Sequence, residues 1–275
     1  MTGRESEPGV GREYRTALVT GASGGIGYEL ARLLAAQGYG LVIVARSEDL
    51  LRTAADELAS DYGVPVRVVV LDLEDRAAPD RLFELLQNEA CPVEILVNNA
   101  GFGTSGAFAD TDLGSELRML QVNVAALTHL SKLFLRQMKE RGSGRILNVA
   151  STAAFQPGPF MAVYFATKAY VLSLSQAIAE ELRGTAITVT ALCPGATATG
   201  FQRRAAMQDS TIGSQGMMDA RVVARAGLEG MMRGERIVIP GARNRFVARA
   251  VGLLPRKLVT KVVRRLTEGR SRNGT

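Results

Sequence analysis

Seven short β-branched runs alternate along this chain with longer segments of helical period. They are TALVT (16–20), LVIVA (41–45), VRVVVLD (66–72), VEILVNN (93–99), RILNVAS (145–151), ITVTALC (187–193) and RIVIP (236–240). Between them lie stretches such as YELARLLAAQG and DLLRTAADELASDYG, whose apolar residues recur at i, i+3 and i+4. Strands joined through helices pair in parallel, because the crossover returns the chain to the same end of the sheet. Parallel strands are covered on both faces, which is why these runs are continuously apolar. The pattern predicts an α/β fold built on one doubly wound parallel sheet of seven strands. At 275 residues with 47% hydrophobic content, one domain can hold it.

Composition narrows the function. The opening MTGRESEPGVGREY is polar and charged, and no uncharged apolar run approaches the roughly 18 residues of a membrane span. A soluble cytoplasmic protein is expected, with residues 1–13 disordered. Cys91 and Cys193 lie far apart without metal-ligand spacing and read as small buried hydrophobes. The single histidine, His129 in LTHLSKLFL, sits on a segment that reads as a packed helix, so no metal site is expected. The net charge of +6 is unevenly placed: residues 236–275 hold 11 Lys/Arg against Glu268 alone, leaving the remainder with 22 basic and 26 acidic residues.

Directly after the first strand comes TGASGGIG, Thr20 to Gly27, and then an amphipathic helix. Glycines at such a junction let the backbone turn sharply and approach a pyrophosphate, while the N–H groups and dipole of the helix N-terminus favour an anion. The spacing of Gly21, Gly25 and Gly27 is TGxxxGxG, not the common GxGxxG. Here the chain resembles the short-chain dehydrogenase/reductase family. The resemblance continues through Asp72, NNAG (98–101), Asn123 in QVNV, Ser151 thirteen residues before Tyr164, Lys168, and PGATAT (194–199), covering residues 15 to about 200 in order. It implies a Rossmann-type domain with strand order 3-2-1-4-5-6-7 over residues 1–242, and a homodimer or homotetramer paired through the helices that carry Asn123 and Tyr164. Coenzyme contacts carried over from the family fall on Thr20, Gly21, Ser23, Gly24, Gly25, Ile26 and Gly27. Further contacts fall on Asp72 with Leu73 at the adenine edge, on Asn99, Ala100 and Gly101 beside the adenosine, and on Tyr164 and Lys168.

The second strand ends in VIVARSEDLL, with Ala45 where an acid would select NAD by bonding the ribose 2′-OH. Arg46 follows, and a guanidinium matches a 2′-phosphate with a bidentate fork. This reads as NADP(H), with Ser47 and Ser23 as further phosphate donors and Glu48 and Asp49 as first-turn acids of the next helix. Pro194 and Gly195 follow the sixth strand, and Thr197 and Thr199 are placed to meet the carboxamide or pyrophosphate.

Tyr164 and Lys168 stand four apart near the start of a predicted helix and therefore share a face. A phenol titrates near 10, too high for efficient acid–base work at neutrality, and a neighbouring cation lowers that value. Tyr164 is read as the proton donor, Lys168 as its tuner, and Ser151 at a strand end as the group that bonds a substrate carbonyl. By the resemblance, Asn123 holds a water that links Lys168 to solvent, and Lys168 bonds the nicotinamide ribose.

Phe102, Phe155, Phe160 and Phe201, with Met207, Met217 and Met218, suggest a lipophilic pocket wall, and Arg203 and Arg204 are candidate anion contacts. The stretch 196–220 reads as a lid or a long connection. Beyond it, residues 243–275 form a basic helical extension that either packs on the domain or a second subunit, or docks on an anionic membrane or an acyl carrier. Nucleic acid is not expected. The leading reading is an NADP(H)-dependent oxidoreductase interconverting a ketone or aldehyde and an alcohol. A 3-oxoacyl-thioester reductase and a non-catalytic NADP(H)-binding redox sensor are the alternatives.

Overall fold

The computed structural model describes residues 14–200 and 217–268. Phe201, Arg203, Arg204 and Met207 lie outside the described residues, as do the N-terminal 13. The strands are β1 (Thr16–Thr20), β2 (Gly40–Ala45), β3 (Val66–Val70), β4 (Val93–Asn98), β5 (Gly144–Val149), β6 (Ile187–Leu192) and β7 (Ile237–Val238). They form one sheet in the order β3-β2-β1-β4-β5-β6-β7, and every pairing is parallel. The helices are α1 (Gly25–Ala36), α2 (Glu48–Tyr62), α3 (Ala78–Asn88), α4 (Leu113–Leu120), α5 (Leu127–Arg141), α6 (Ala162–Glu181), α7 (Ala220–Met232), α8 (Ala242–Val251) and α9 (Arg256–Thr267).

Successive strand residues point to opposite faces, so each strand feeds two cores. Ala17, Val19, Ile43, Ile95 and Val97 pack under α1, α2 and α7, against Leu30, Leu34, Leu51 and Leu228. Leu18, Val42, Leu96 and Ile146 pack under α3 and α5, against Leu82, Leu86, Leu130 and Phe134. Each fully buried aliphatic contributes about 1.5–3 kcal/mol. A polar seam crosses the second layer: Asn98 Nδ2 donates to Ser131 Oγ (3.0 Å) and to Asn148 Oδ1 (2.9 Å), and Asn148 Nδ2 donates to Ser175 Oγ (3.0 Å). Four secondary elements are thereby tied at one depth.

One feature was not predicted from the sequence, and a second is one of the courses expected for the basic extension. Gln121–Ala126 forms a π-helical turn between α4 and α5, an irregularity that single-turn insertions bring into α-helices and that is frequent at functional sites. The chain beyond β7 also folds back onto the domain: Val259 and Val263 of α9 are buried against Ala153, Met161 and Phe165. Asn244 of α8 donates from Nδ2 to Pro240 O (2.9 Å) and stands where a Cβ on Gly195 would fall, 2.6 Å from it.

Candidate active site

Parallel strands end at one edge, so the residues that follow β1, β2, β4, β5 and β6 converge there. They line a cleft of about 820 Å³. The half expected to take coenzyme is lined by Gly21, Ser23, Gly24, Gly25, Ile26, Arg46, Ser47, Asp72, Leu73, Asn99, Ala100 and Gly101. Its other half holds Ser151, Tyr164, Lys168, Phe102, Pro194, Gly195, Thr197 and Thr199.

The loop after β1 fits a bound pyrophosphate. Gly21 and Gly25 have φ of +68° and +59°, and a Cβ on Gly24 would meet no atom within 4 Å, so the backbone there faces open cleft. The N-terminus of α1 has no side-chain cap hydrogen bond, as is true of most helices here, and it opens on the cleft, with Gly25 and Ile26 in the lining. Its first N–H groups are thus left for an anion. Gly27 lies behind the loop: a Cβ on it would stand 2.3 Å from Asn99 Nδ2 and 2.4 Å from Gly21 O. Thr20 also lies behind, with 1% exposure. Its Oγ1 donates to Val97 O and accepts from the Asn99 and Ala100 N–H groups. Expected to contact coenzyme, Thr20 instead fastens the β1 and β4 loops together, because a side chain at the end of a central strand is covered on both sides.

At the end of β2, Arg46 Nη1 lies 2.5 Å from Glu74 Oε1 and 3.7 Å from Asp72 Oδ2, while Arg118 Nε lies 3.6 Å from the other oxygen of Glu74. Arg46 is half exposed beside Ala45, which presents only a methyl.

Ser151 follows β5 and caps the 3₁₀ turn Thr152–Phe155, its Oγ accepting from Ala153 N at 3.1 Å. Tyr164, in the first turn of α6, is hydrogen-bonded to the Ser151 side chain. Burial pushes its phenol up to about 12, and the Ser151 bond pulls the other way. Lys168 is 5% exposed and donates from Nζ to Val149 O at 2.8 Å, with Nζ 5.9 Å from the Tyr164 ring centroid. Burial brings its ammonium down to about 8, against the pull of the Cys193 sulfur. The expected lowering of the phenol by Lys168 does not show in this structure: Lys168 is buried and Tyr164 partly so, and the ammonium is turned to a backbone carbonyl.

Asn123 sits inside the π turn with 1% exposure. Its Oδ1 accepts from Phe102 N (3.1 Å), and its Nδ2 donates to Phe102 O (2.9 Å) and Thr167 Oγ1 (3.1 Å). Expected to hold a water for Lys168, it uses both donor hydrogens on protein partners and pins the loop after β4 from behind the cleft wall. Of the aromatics expected on the substrate wall, Phe102 lines the cleft. Phe155 packs instead against the Leu127, Val171 and Cys193 cluster. Phe160, at φ +63°, turns outward beneath the Arg264 guanidinium, 5.6 Å from the ring centroid. Met161 takes the inward place, with Phe165, Gln156 and Glu74 also on the lining. Met161 and Phe165 stand at i and i+4 on the same helical face as Tyr164 and Lys168, a spacing that was present in the sequence. Among the described residues no cluster of three or more His, Cys, Asp or Glu side chains could hold a metal, and no helix is long and apolar enough to cross a membrane.

The chain is similar to known proteins over most of its length. Ketoacyl reductase HetN of a Nostoc species is 34% identical over 181 residues, which make up 66% of this chain and 63% of that protein, less than two thirds of its length. A short-chain dehydrogenase from Sphingobium yanoikuyae, solved in complex with NADPH, is 32% identical with a TM-score of 0.79, over 95% of this chain and 98% of that one. The bulky-bulky ketone specific alcohol dehydrogenase from Comamonas testosteroni is 33% identical with a TM-score of 0.73, over 87% and 93%. The pattern of the family described as short chain dehydrogenase runs through residues 15–210, and with the sheet order and the cleft in place this chain belongs to the short-chain dehydrogenase/reductase family.

Proposed function

We propose that the protein is an NADP(H)-dependent reductase of a lipophilic ketone or aldehyde, with Ser151, Tyr164 and Lys168 at the reacting centre and Asn123 positioning the loop behind it. The observation that carries this reading is the Ser151–Tyr164 hydrogen bond at the wall of a glycine-floored cleft. A bound nicotinamide coenzyme supplies the hydride and, once oxidised, a positive ring. With its pKa pushed to about 12, Tyr164 stays protonated at neutral pH and is ready to donate. Ser151 offers its hydroxyl to the same carbonyl oxygen and stabilises the charge that develops there. Lys168 holds its ammonium on Val149 O one helical turn from Tyr164, 5.9 Å from the ring centroid, where a bound coenzyme ribose could draw it. Met161, Phe165 and Phe102 give the substrate end an apolar wall.

Preference for the phosphorylated coenzyme is supported by Ala45 and Arg46, since no acid stands on β2 to repel a 2′-phosphate. The phosphate would have to draw Arg46 from Glu74, a trade of one anion for another. Exposed Leu113, Leu117 and Leu120 on α4 and Tyr170 on α6 support pairing of two copies through those helices. A second reading, reduction of a 3-oxoacyl thioester, is favoured by the name of the Nostoc relative.

The test is NADPH consumption by purified protein over ketones and 3-oxoacyl thioesters of rising chain length, with NADH run in parallel. Tyr164→Phe should lower turnover by at least about a hundredfold while coenzyme affinity holds. Near-normal turnover in that variant would remove the assignment, and tight NADPH binding with no turnover of any carbonyl would favour the redox-sensor alternative.

A further inference from the structure

The helices beyond β7 carry a surface that the reaction does not use. Every fourth residue along α9 falls in one row, and four rows wrap the helix. Val259, Val263 and Thr267 form the row buried on the domain. Leu258, Val262 and Leu266 form the next row and are 49%, 49% and 41% exposed. Lys257, Lys261 and Arg265 form the third, and Arg256, Thr260 and Arg264 the fourth. An exposed apolar row thus runs between the anchoring face and a cationic one. The turn before α9 extends it with Leu254 and with Leu253, which is 88% exposed, and Phe246 of α8 is 74% exposed.

Charge decides what this surface fits. From residue 242 to 268 there are eight Lys/Arg and one acid, Glu268. Arg256, Lys257 and Lys261 have no ion pair among the described residues, and the one ion pair of Arg264 is with Glu268 at 3.6 Å. A second copy meeting this face about a two-fold axis would set cation against cation. An acidic protein would satisfy the lysines and arginines, but a leucine that projects from a turn with nine-tenths of its surface free matches insertion into hydrocarbon better than a charged partner face. Apolar side chains flanked by cations are what lets a helix lie at the boundary between acyl chains and anionic headgroups.

We infer that α8, α9 and the Leu253–Leu254 turn form a docking face for an anionic lipid surface. Leu253, Leu254, Leu258, Val262 and Leu266 enter the acyl boundary, and Lys257, Lys261 and Arg265 lie at phosphate level. The adjacent row of α9, Val259 and Val263, packs on Met161 and Phe165, which line the reaction cleft. The docked enzyme therefore presents the wall of that cleft next to the membrane, where lipophilic carbonyl compounds concentrate. The face itself does not depend on which carbonyl is reduced.

The experiment is flotation of the full-length protein with phosphatidylcholine vesicles, with and without phosphatidylglycerol, in low and high salt. Binding to the anionic vesicles alone, weakened by salt, is expected. Lys257→Glu with Lys261→Glu should weaken it by at least about fivefold per charge, and Leu253→Asp with Leu258→Asp should abolish it. Both variants should keep the parent's NADPH binding and unfolding midpoint, since the altered side chains are exposed, which separates a failure of docking from a failure of the fold or of the enzyme. No binding to either vesicle would overturn the inference, as would equal binding to neutral vesicles. Loss of self-association in the leucine variant without vesicle binding, or capture of an acyl carrier protein by the same face in place of vesicles, would also overturn it.

Discussion

Two glycines three residues apart, Gly24 in the loop after β1 and Gly27 in the first turn of α1, should fail in different ways when a methyl group is added. At Gly27 the methyl would stand 2.3 Å from Asn99 Nδ2 and 2.4 Å from Gly21 O. The oxygen is backbone and cannot swing aside, so either α1 lifts from the β4 loop or the turn at Gly21 moves. Forcing atoms into a packed contact costs about 1–3 kcal/mol. Displacing Asn99 also gives up its bonds to Thr20 O (2.9 Å) and Gly21 O (3.1 Å), at about 1 kcal/mol each. The helical preference of Ala over Gly returns up to about 1 kcal/mol. Gly27→Ala should therefore lose about 2–4 kcal/mol, a large share of a typical 5–15. At Gly24 the methyl meets nothing within 4 Å and the φ of 166° is extended backbone open to any residue. Gly24→Ala should stay within about 0.5 kcal/mol of the parent in stability, yet bind NADPH at least about tenfold more weakly, because the methyl occupies the space through which a pyrophosphate approaches. Urea unfolding and coenzyme titration on both variants check this. A Gly27→Ala protein that unfolds at the parent midpoint, or a Gly24→Ala protein that binds coenzyme like the parent, would refute the division of labour.

Three other outcomes follow from the same structure. Arg46→Ala should weaken NADPH binding by about ten- to a hundredfold and leave NADH unchanged, a charge-assisted pair being lost for one coenzyme only; equal effects on both would remove the 2′-phosphate reading. Lys168→Met should inactivate the enzyme but stabilise it at neutral pH. The parent's ammonium titrates at about 8 when folded against 10.5 when unfolded, a difference of about 3 kcal/mol against burying the charge, less about 1 kcal/mol for its bond to Val149 O. Between pH 8 and 10.5 the unfolded chain holds the proton that the folded one has released, so the parent gains stability with rising pH. The variant's advantage should shrink across that window, and urea unfolding at both ends that showed it growing would contradict the account. Asn148→Ala should cost about 2–4 kcal/mol in the same assay, because it gives up both of its buried hydrogen bonds and leaves a cavity, although Asn98 Nδ2 keeps Ser131 Oγ and Ser175 Oγ keeps Val171 O.

The strands were legible because a parallel sheet demands continuous apolar runs: TALVT coincides with β1, and the other six runs fall on their strands to within two residues at either end. The glycine loop was legible because turn, close approach and helix start leave few residue choices. What local pattern could not reveal was which way a side chain turns once the chain leaves regular structure. Phe160 reads as substrate wall until its positive φ turns it outward and hands the position to Met161. Thr20 reads as part of the loop, but lies one residue inside the point where the strand ceases to be covered. The desolvation of Lys168 was invisible in YFATK, since burial depends on Val149 and Gly101, far away in sequence. That α9 braces the cleft wall had no local signal beyond its apolar period, which fits a membrane, a partner and the domain itself equally.

The π turn at Gln121–Ala126 also bears on how the gene can change. A deletion within a regular α-helix rotates everything downstream by about 100°, which here would swing Leu130, Phe134 and Met138 of α5 out of the core. A π turn already holds one residue more than a regular helix needs. Losing the codon for exposed Ala125 would let α4 run straight into α5 with the downstream face kept in register. What would be lost is the aim of Asn123 at Phe102. Such a deletant should keep the fold, at a cost of about 1–3 kcal/mol for the buried Asn123 amide, and reduce nothing, making this turn a point in the layer where the reading frame of the fold and that of the reaction come apart.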